Sequence, residues 1–124
     1  MDGLVEIDEQ VAAIRSIREA VPELVLNARV DIYLEKAGGV DEAVERANAY
    51  LAAGADCTYP IFCPTEHIAD LARRIDGPLN VLVRPSVPSP AELQALGVAR
   101  LTWGSGLASL AYAEAASVAA AALA

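Results

Sequence analysis

Three polar side chains at alternate positions, Asn27, Arg29 and Asp31, close an apolar run that begins at Leu24. Alternation puts all three on one side of a strand. An arginine fixed between two polar neighbours at the carboxyl end of a parallel strand stands where α/β folds place ligand chemistry, and it is suited to holding an anion. It donates two parallel hydrogen bonds to a planar or tetrahedral anion. The same pattern also suits an arginine that pairs with a nearby carboxylate and only caps the strand. Asn27, one step deeper, either orients Arg29 or satisfies itself in the core. Asn80, Arg84 and Ser105 occupy comparable places further on: Asn80 and Arg84 on a later strand, Ser105 in the turn Gly104-Ser105-Gly106 that opens the last helix. That turn either offers backbone N–H groups to an anion or simply starts the helix. Arg84 could add positive charge to a site but reads first as a surface arginine, and His67, the single histidine, as an exposed or capping residue.

The elements that must position these groups follow from punctuation. Asp8 is expected to cap a first helix through Ala20, with Val11, Ile14 and Ile17 on one face. Pro22 ends it, and a strand is expected over Leu24–Arg29. Gly38-Gly39 breaks the chain, Asp41 is placed as cap of a helix through Ala53, and Gly54 stands where a C′ glycine belongs. Strand 55–61, a helix capped by Thr65 and running to Ile75, and strand 79–83 come next. Ser89-Pro90-Ala91-Glu92 is a capping box with proline at the first helical position. Strand 98–103 and a helix to the C-terminus complete the order. One leading helix and four βα units imply α/β architecture with parallel strands and right-handed crossovers, in a single domain over residues 1–124. Four strands leave an open sheet, since a closed barrel takes about eight. Its uncovered inner face is expected to carry Leu, Val and Cys side chains.

Composition narrows the function classes. The chain has 124 residues, 55% hydrophobic but 5% aromatic, and a net charge of −8. That charge argues against nucleic acid or an anionic membrane as partner. Cys57 and Cys63 lack metal or redox spacing; Cys57 reads as a small core residue, and Cys63, in a loop before Pro64, as the more reactive of the two. The acidic opening has no basic or apolar run that would form a secretion signal, and the alanine-rich 108–124 tail, which carries Glu114, is read as too short and too weakly apolar to span a membrane. The cytoplasm is the expected compartment.

Taken in order, the segments Asn27-Ala28-Arg29-Val30-Asp31, Glu45-Arg46-Ala47 to Tyr50, Ala53-Gly54-Ala55-Asp56, Gly77-Pro78-Leu79-Asn80-Val81 and Leu96-Gly97-Val98-Ala99-Arg100 to Gly104-Ser105 resemble the isocitrate lyase / phosphoenolpyruvate mutase superfamily. The resemblance covers only that family's carboxyl-terminal half. It implies half of a (βα)8 barrel of enzymes that use Mg²⁺ to break or form C–C or P–C bonds in small 2-oxo and phosphonate acids. It implies substrate-binding roles for Arg29, Asn27, Asn80 and Ser105. Ile61 stands where many members carry Glu or His. The family's metal carboxylates and mobile catalytic loop precede the matched region; Met1-Asp2-Gly3 resembles a remnant of its E-D-G segment. No catalytic or metal residue is therefore assigned, no Mg²⁺ is expected on this chain alone, and the isolated chain is expected to be inactive. A small anionic 2-oxo acid or phosphonate is the implied ligand. A second copy, or a separate N-terminal half, is the implied protein partner, because the family exchanges its final helix between subunits. The alternatives are a small acidic α/β interaction module, or one half of a split or self-complemented lyase.

Overall fold

A computed structural model describes residues 3–123; Met1 and Asp2, and with them most of the E-D-G resemblance, lie outside the described residues. The order is α1 (Ile7–Ala20), β1 (Asn27–Val30), α2 (Val40–Ala52), β2 (Cys57–Pro60), a 3-10 turn (Thr65–His67) leading into α3 (Ile68–Arg74), β3 (Asn80–Leu82), α4 (Pro90–Ala95), β4 (Arg100–Thr102) and α5 (Gly106–Leu123). One leading helix and four βα units are thus present, and the strands pair in parallel. The pairs β1–β2 and β3–β4 are regular. They join through a single bridge between Thr58 and Leu79, where Thr58 N–H donates to the Pro78 carbonyl at 3.0 Å.

The strands are shorter than their apolar runs. Leu24 and Val25 are exposed instead of beginning β1, because the Leu24 carbonyl is taken by the Arg18 guanidinium at 2.8 Å. Arg18 also reaches the Gly54 carbonyl and Asp56, whose carboxylate accepts the Leu26 N–H at 2.8 Å. This clamp ties α1 to the starts of β1 and β2.

Several caps differ from expectation. Glu6, not Asp8, precedes α1. Asp41 lies inside the first turn of α2; Gly39 starts that helix, and the Glu42 carboxylate accepts its N–H at 2.8 Å. Thr65 belongs to the 3-10 turn and donates its hydroxyl to the Ser86 carbonyl. The Ser89–Glu92 capping box and the positive-φ Gly54 form as expected.

Alternation sorts the strand residues cleanly. Val30, Thr58, Pro60, Leu79 and Val81 are buried on the face toward the helices, and Val30, Leu79 and Val81 join Ile14, Ala47, Ile68, Leu71 and Leu93 in the core. The opposite face carries Asn27, Arg29, Cys57, Tyr59, Asn80, Leu82, Arg100 and Thr102. The inner face is therefore mostly polar; of the expected Leu, Val and Cys side chains it carries Leu82 and Cys57, while Val30 and Val81 lie on the other face. Ile17, expected on the buried stripe of α1, is exposed.

Helix α5 buries none of its residues. Its mean hydropathy of 1.4 over 18 residues meets the length and composition of a membrane span, contrary to the reading of the tail as too weakly apolar. Leu107, Leu110, Tyr112 and Val118 are all more than half exposed along it.

Candidate functional site

Arg29 is the next-to-last residue of β1, on the inner face, and Asp31 follows just past the strand. Arg29 Nε donates to Asp31 Oδ1 at 2.6 Å and Nη2 to Oδ2 at 2.9 Å. The fork holds the guanidinium plane while its side chain stays 49% exposed. The hydrogen bond that Arg29 donates to Asp31 raises the Arg29 pKa further, so the cation is permanent. Tyr59 stands opposite Arg29 in register. Burial pushes its phenol up, against the pull of the Arg29 and Arg84 guanidiniums. Two cations thus act on one phenol at the carboxyl ends of β1 to β3. Arg84 is no surface arginine: it is half-buried, its Nη2 donates to the Cys63 carbonyl, and its buried Nε has no partner among the described residues.

The other sequence-derived candidates have different surroundings. Asn27 does not orient Arg29, which Asp31 does; its Oδ1 is buried without a partner among the described residues. Asn80 is fully buried and exchanges hydrogen bonds with Thr102, Nδ2 to Oγ1 at 2.9 Å and Oγ1 to Oδ1 at 3.0 Å. Ser105 is exposed in the turn before α5. Neither Asn80 nor Ser105 lines the cleft of about 500 Å³ that Arg29 and Asp31 share with Glu35, Arg46, Tyr50 and Gln10.

Sequence reasoning missed Tyr59, Arg46 and Tyr33. Tyr59 was signalled by alternation, two residues beyond Cys57. Arg46 was signalled as a lone charge on a helix face built from Ala43, Ala47 and Tyr50. Tyr33 carried no signal, because its partner lies 34 residues away: His67 Nδ1 and Tyr33 Oη are 3.2 Å apart. His67 is accordingly half-buried against Tyr33 rather than solvent-exposed. Desolvation drives the Tyr33 phenol up to about 12. Cys63 is buried and its thiol is pushed up to about 11, so the expectation of a reactive cysteine is overturned.

Mg²⁺ needs several hard oxygen ligands in near-octahedral array. Among the described residues no three His, Cys, Asp or Glu side chains gather so as to hold a metal ion. Asp31 is committed to Arg29, and Asp56 to Arg18 and the Leu26 N–H. The described residues do not fit the ion, and no chemistry is routed through it.

Residues 1–123 match the family model described as phosphoenolpyruvate phosphomutase. An uncharacterized protein of Mycobacterium tuberculosis is 38% identical over 103 residues, covering 80% of this chain and 40% of its own length. The 2-methylisocitrate lyase of Bacillus subtilis is 38% identical over 77 residues, 61% of this chain and 25% of that enzyme. Among solved structures, phosphoenolpyruvate phosphomutase from Streptomyces platensis superposes with a TM-score of 0.77 at 25% identity, covering 93% of this chain and 44% of that one. Phosphonopyruvate hydrolase in complex with oxalate and Mg²⁺ gives 0.78 at 25% identity, covering 94% and 44%. The chain thus spans less than half the length of these relatives.

Proposed function

This chain belongs to the phosphoenolpyruvate phosphomutase family, within the isocitrate lyase / PEP mutase superfamily, and on that premise we propose that it supplies the anion-holding, carboxyl-terminal part of such a barrel. Arg29 grips the carboxylate or phosphonate of a small 2-oxo or phosphonate acid. Asp31 fixes the orientation of its guanidinium, and Tyr59 and Arg84 extend the polar surface beside it. Asn27 faces the same side with an unused acceptor. In this reading the 124 residues by themselves perform no Mg²⁺-dependent bond cleavage. They act in the cytoplasm, with a second copy or a separate N-terminal half as partner. The observation that supports it is Arg29 itself: a forked, exposed cation at the carboxyl end of a parallel strand, where α/β barrels place their chemistry.

A second reading, an interaction module without catalysis, draws support from α5, whose apolar side chains have nothing packed on them. One experiment separates the two. Solution mass is measured together with Mg²⁺-dependent turnover of oxaloacetate, 2-methylisocitrate and phosphonopyruvate, and with oxalate affinity. Oxalate binding without turnover supports the anion-holding half. Turnover by the single chain overturns the inactivity, and absent oxalate binding favours the interaction module.

A further inference from the structure

Arg46 is a cation taken out of water without a carboxylate partner among the described residues. It is only 7% exposed. Its Nη1 donates to the Val5 carbonyl at 2.7 Å and to the Tyr50 hydroxyl at 3.2 Å, both neutral acceptors. Among the described residues no other hydrogen bond engages the guanidinium, and no Asp or Glu pairs with it. A buried charge is expensive unless it is paired, and a guanidinium carries five N–H donors to satisfy. The same residue lines the cleft of about 500 Å³ beside the carboxyl end of β1, a volume in the range of small-ligand sites.

The charges around that cleft define what fits. Arg29 and Asp31 offset each other's charge through their fork, although Arg29 keeps N–H groups outside it for the ligand of the strand-face site. Arg46 and Glu35 remain. Among the described residues lining the cleft, this leaves one cation without a carboxylate partner and one carboxylate nearby, which favours a singly charged anion over a dianion at Arg46. Gln10, also lining the cleft, adds an amide that can donate or accept.

We propose that this cleft binds a small monocarboxylate, its carboxylate on the Arg46 guanidinium and its remainder against Gln10 and Tyr50. The site does not depend on the lyase-family reading. It shares only Arg29 and its partner Asp31 with the anion site of the inner strand face. Asn27, Tyr59 and Asn80 do not line it.

The test reads Arg46 directly. The assigned Arg46 Nε–Hε signal of the ¹⁵N-labelled chain is titrated with acetate, with chloride at matched ionic strength as control. The expected result is a saturable shift with acetate only, with a midpoint on the order of millimolar. Arg15→Gln, at an exposed cation of α1 that does not line the cleft, should retain it, and Arg46→Gln should weaken acetate binding, followed on the cleft backbone amides, at least tenfold. Oxalate, a dianion, should move the Arg29 signal before that of Arg46. No saturable shift at Arg46, an equal effect of chloride, or loss of the Arg46 shift in Arg15→Gln would each overturn the proposal. If Arg46→Gln does not fold, the wild-type titration with Arg15→Gln still decides. The Arg29 signal with oxalate reports separately on the family-derived site.

Discussion

Arg29 and Asp31 face each other in a two-pronged hydrogen bond, 2.6 and 2.9 Å, although only Val30 separates them. Val30 points the other way and is fully buried. The strand's pleat therefore presents a rigid, half-exposed guanidinium on one side and an anchor in the core on the other. The pair is exposed enough that solvent screens it, and exposed ion pairs contribute about 0–1 kcal/mol. Arg29→Ala should accordingly leave the melting temperature within a few degrees of wild type while weakening oxalate at least tenfold, since hydrogen bonds to charged groups are worth about 1.5–3 kcal/mol. Calorimetric titration with oxalate and thermal melts of both proteins check this. Unchanged affinity with a collapsed melting temperature would mean that Arg29 is structural.

Acid should weaken the clamp at the base of β1 and β2. The Leu26 N–H and the Arg18 guanidinium hold the Asp56 carboxyl below the usual carboxylate range. A carboxylate whose folded pKa is depressed contributes stability that is present above its unfolded pKa, near 3.9, and is lost as pH falls through the folded value. Asp56→Asn should therefore reduce stability at pH 7 and flatten the fall in melting temperature below about pH 4. Melts from pH 7 down to pH 2.5 test it; parallel curves for the two proteins would count against the clamp.

Cys63 should resist thiol reagents in the folded protein. Its thiol is buried and raised to about 11, with Arg84 only partly offsetting the burial. The thiolate is the reactive form, so it is scarce at pH 8. Labelling by iodoacetamide at pH 8 is expected to be slow and to accelerate on adding denaturant. Rapid modification of Cys63 in the native chain would show that the loop opens.

Helix α5 should carry association. Leu110 and Tyr112 are 69% and 76% exposed on a helix with no buried residue, and exposed apolar surface of this kind marks an interface. Light scattering should give a mass above the 12.9 kDa of one chain. Leu110→Glu together with Tyr112→Glu should return the protein to monomer without lowering its melting temperature as a monomer. Flotation with lipid vesicles instead of self-association would assign α5 to a membrane surface.

Local chemistry made much of this molecule legible in the sequence. Gly54 after α2, the Ser89–Glu92 box before α4 and the alternation Asn27–Arg29–Asp31 each act within a few residues. They announced the βα order and the polar face of β1. Contacts between distant residues decided the rest. Leu24 and Val25 read as strand until Arg18, on the preceding helix, takes the Leu24 carbonyl. Asn80 reads either as a ligand contact or as a residue one layer lower that only fills the interior, and Thr102, 22 residues later, decides for the second by satisfying its amide. Arg46 enters the sequence reading only as part of the segment Glu45-Arg46-Ala47; Val5, 41 residues earlier, covers it and leaves it facing a cleft. A propensity or a cap is a property of neighbours in the chain. The desolvation of a charge depends on which distant elements close over it, and only the tertiary structure decides that.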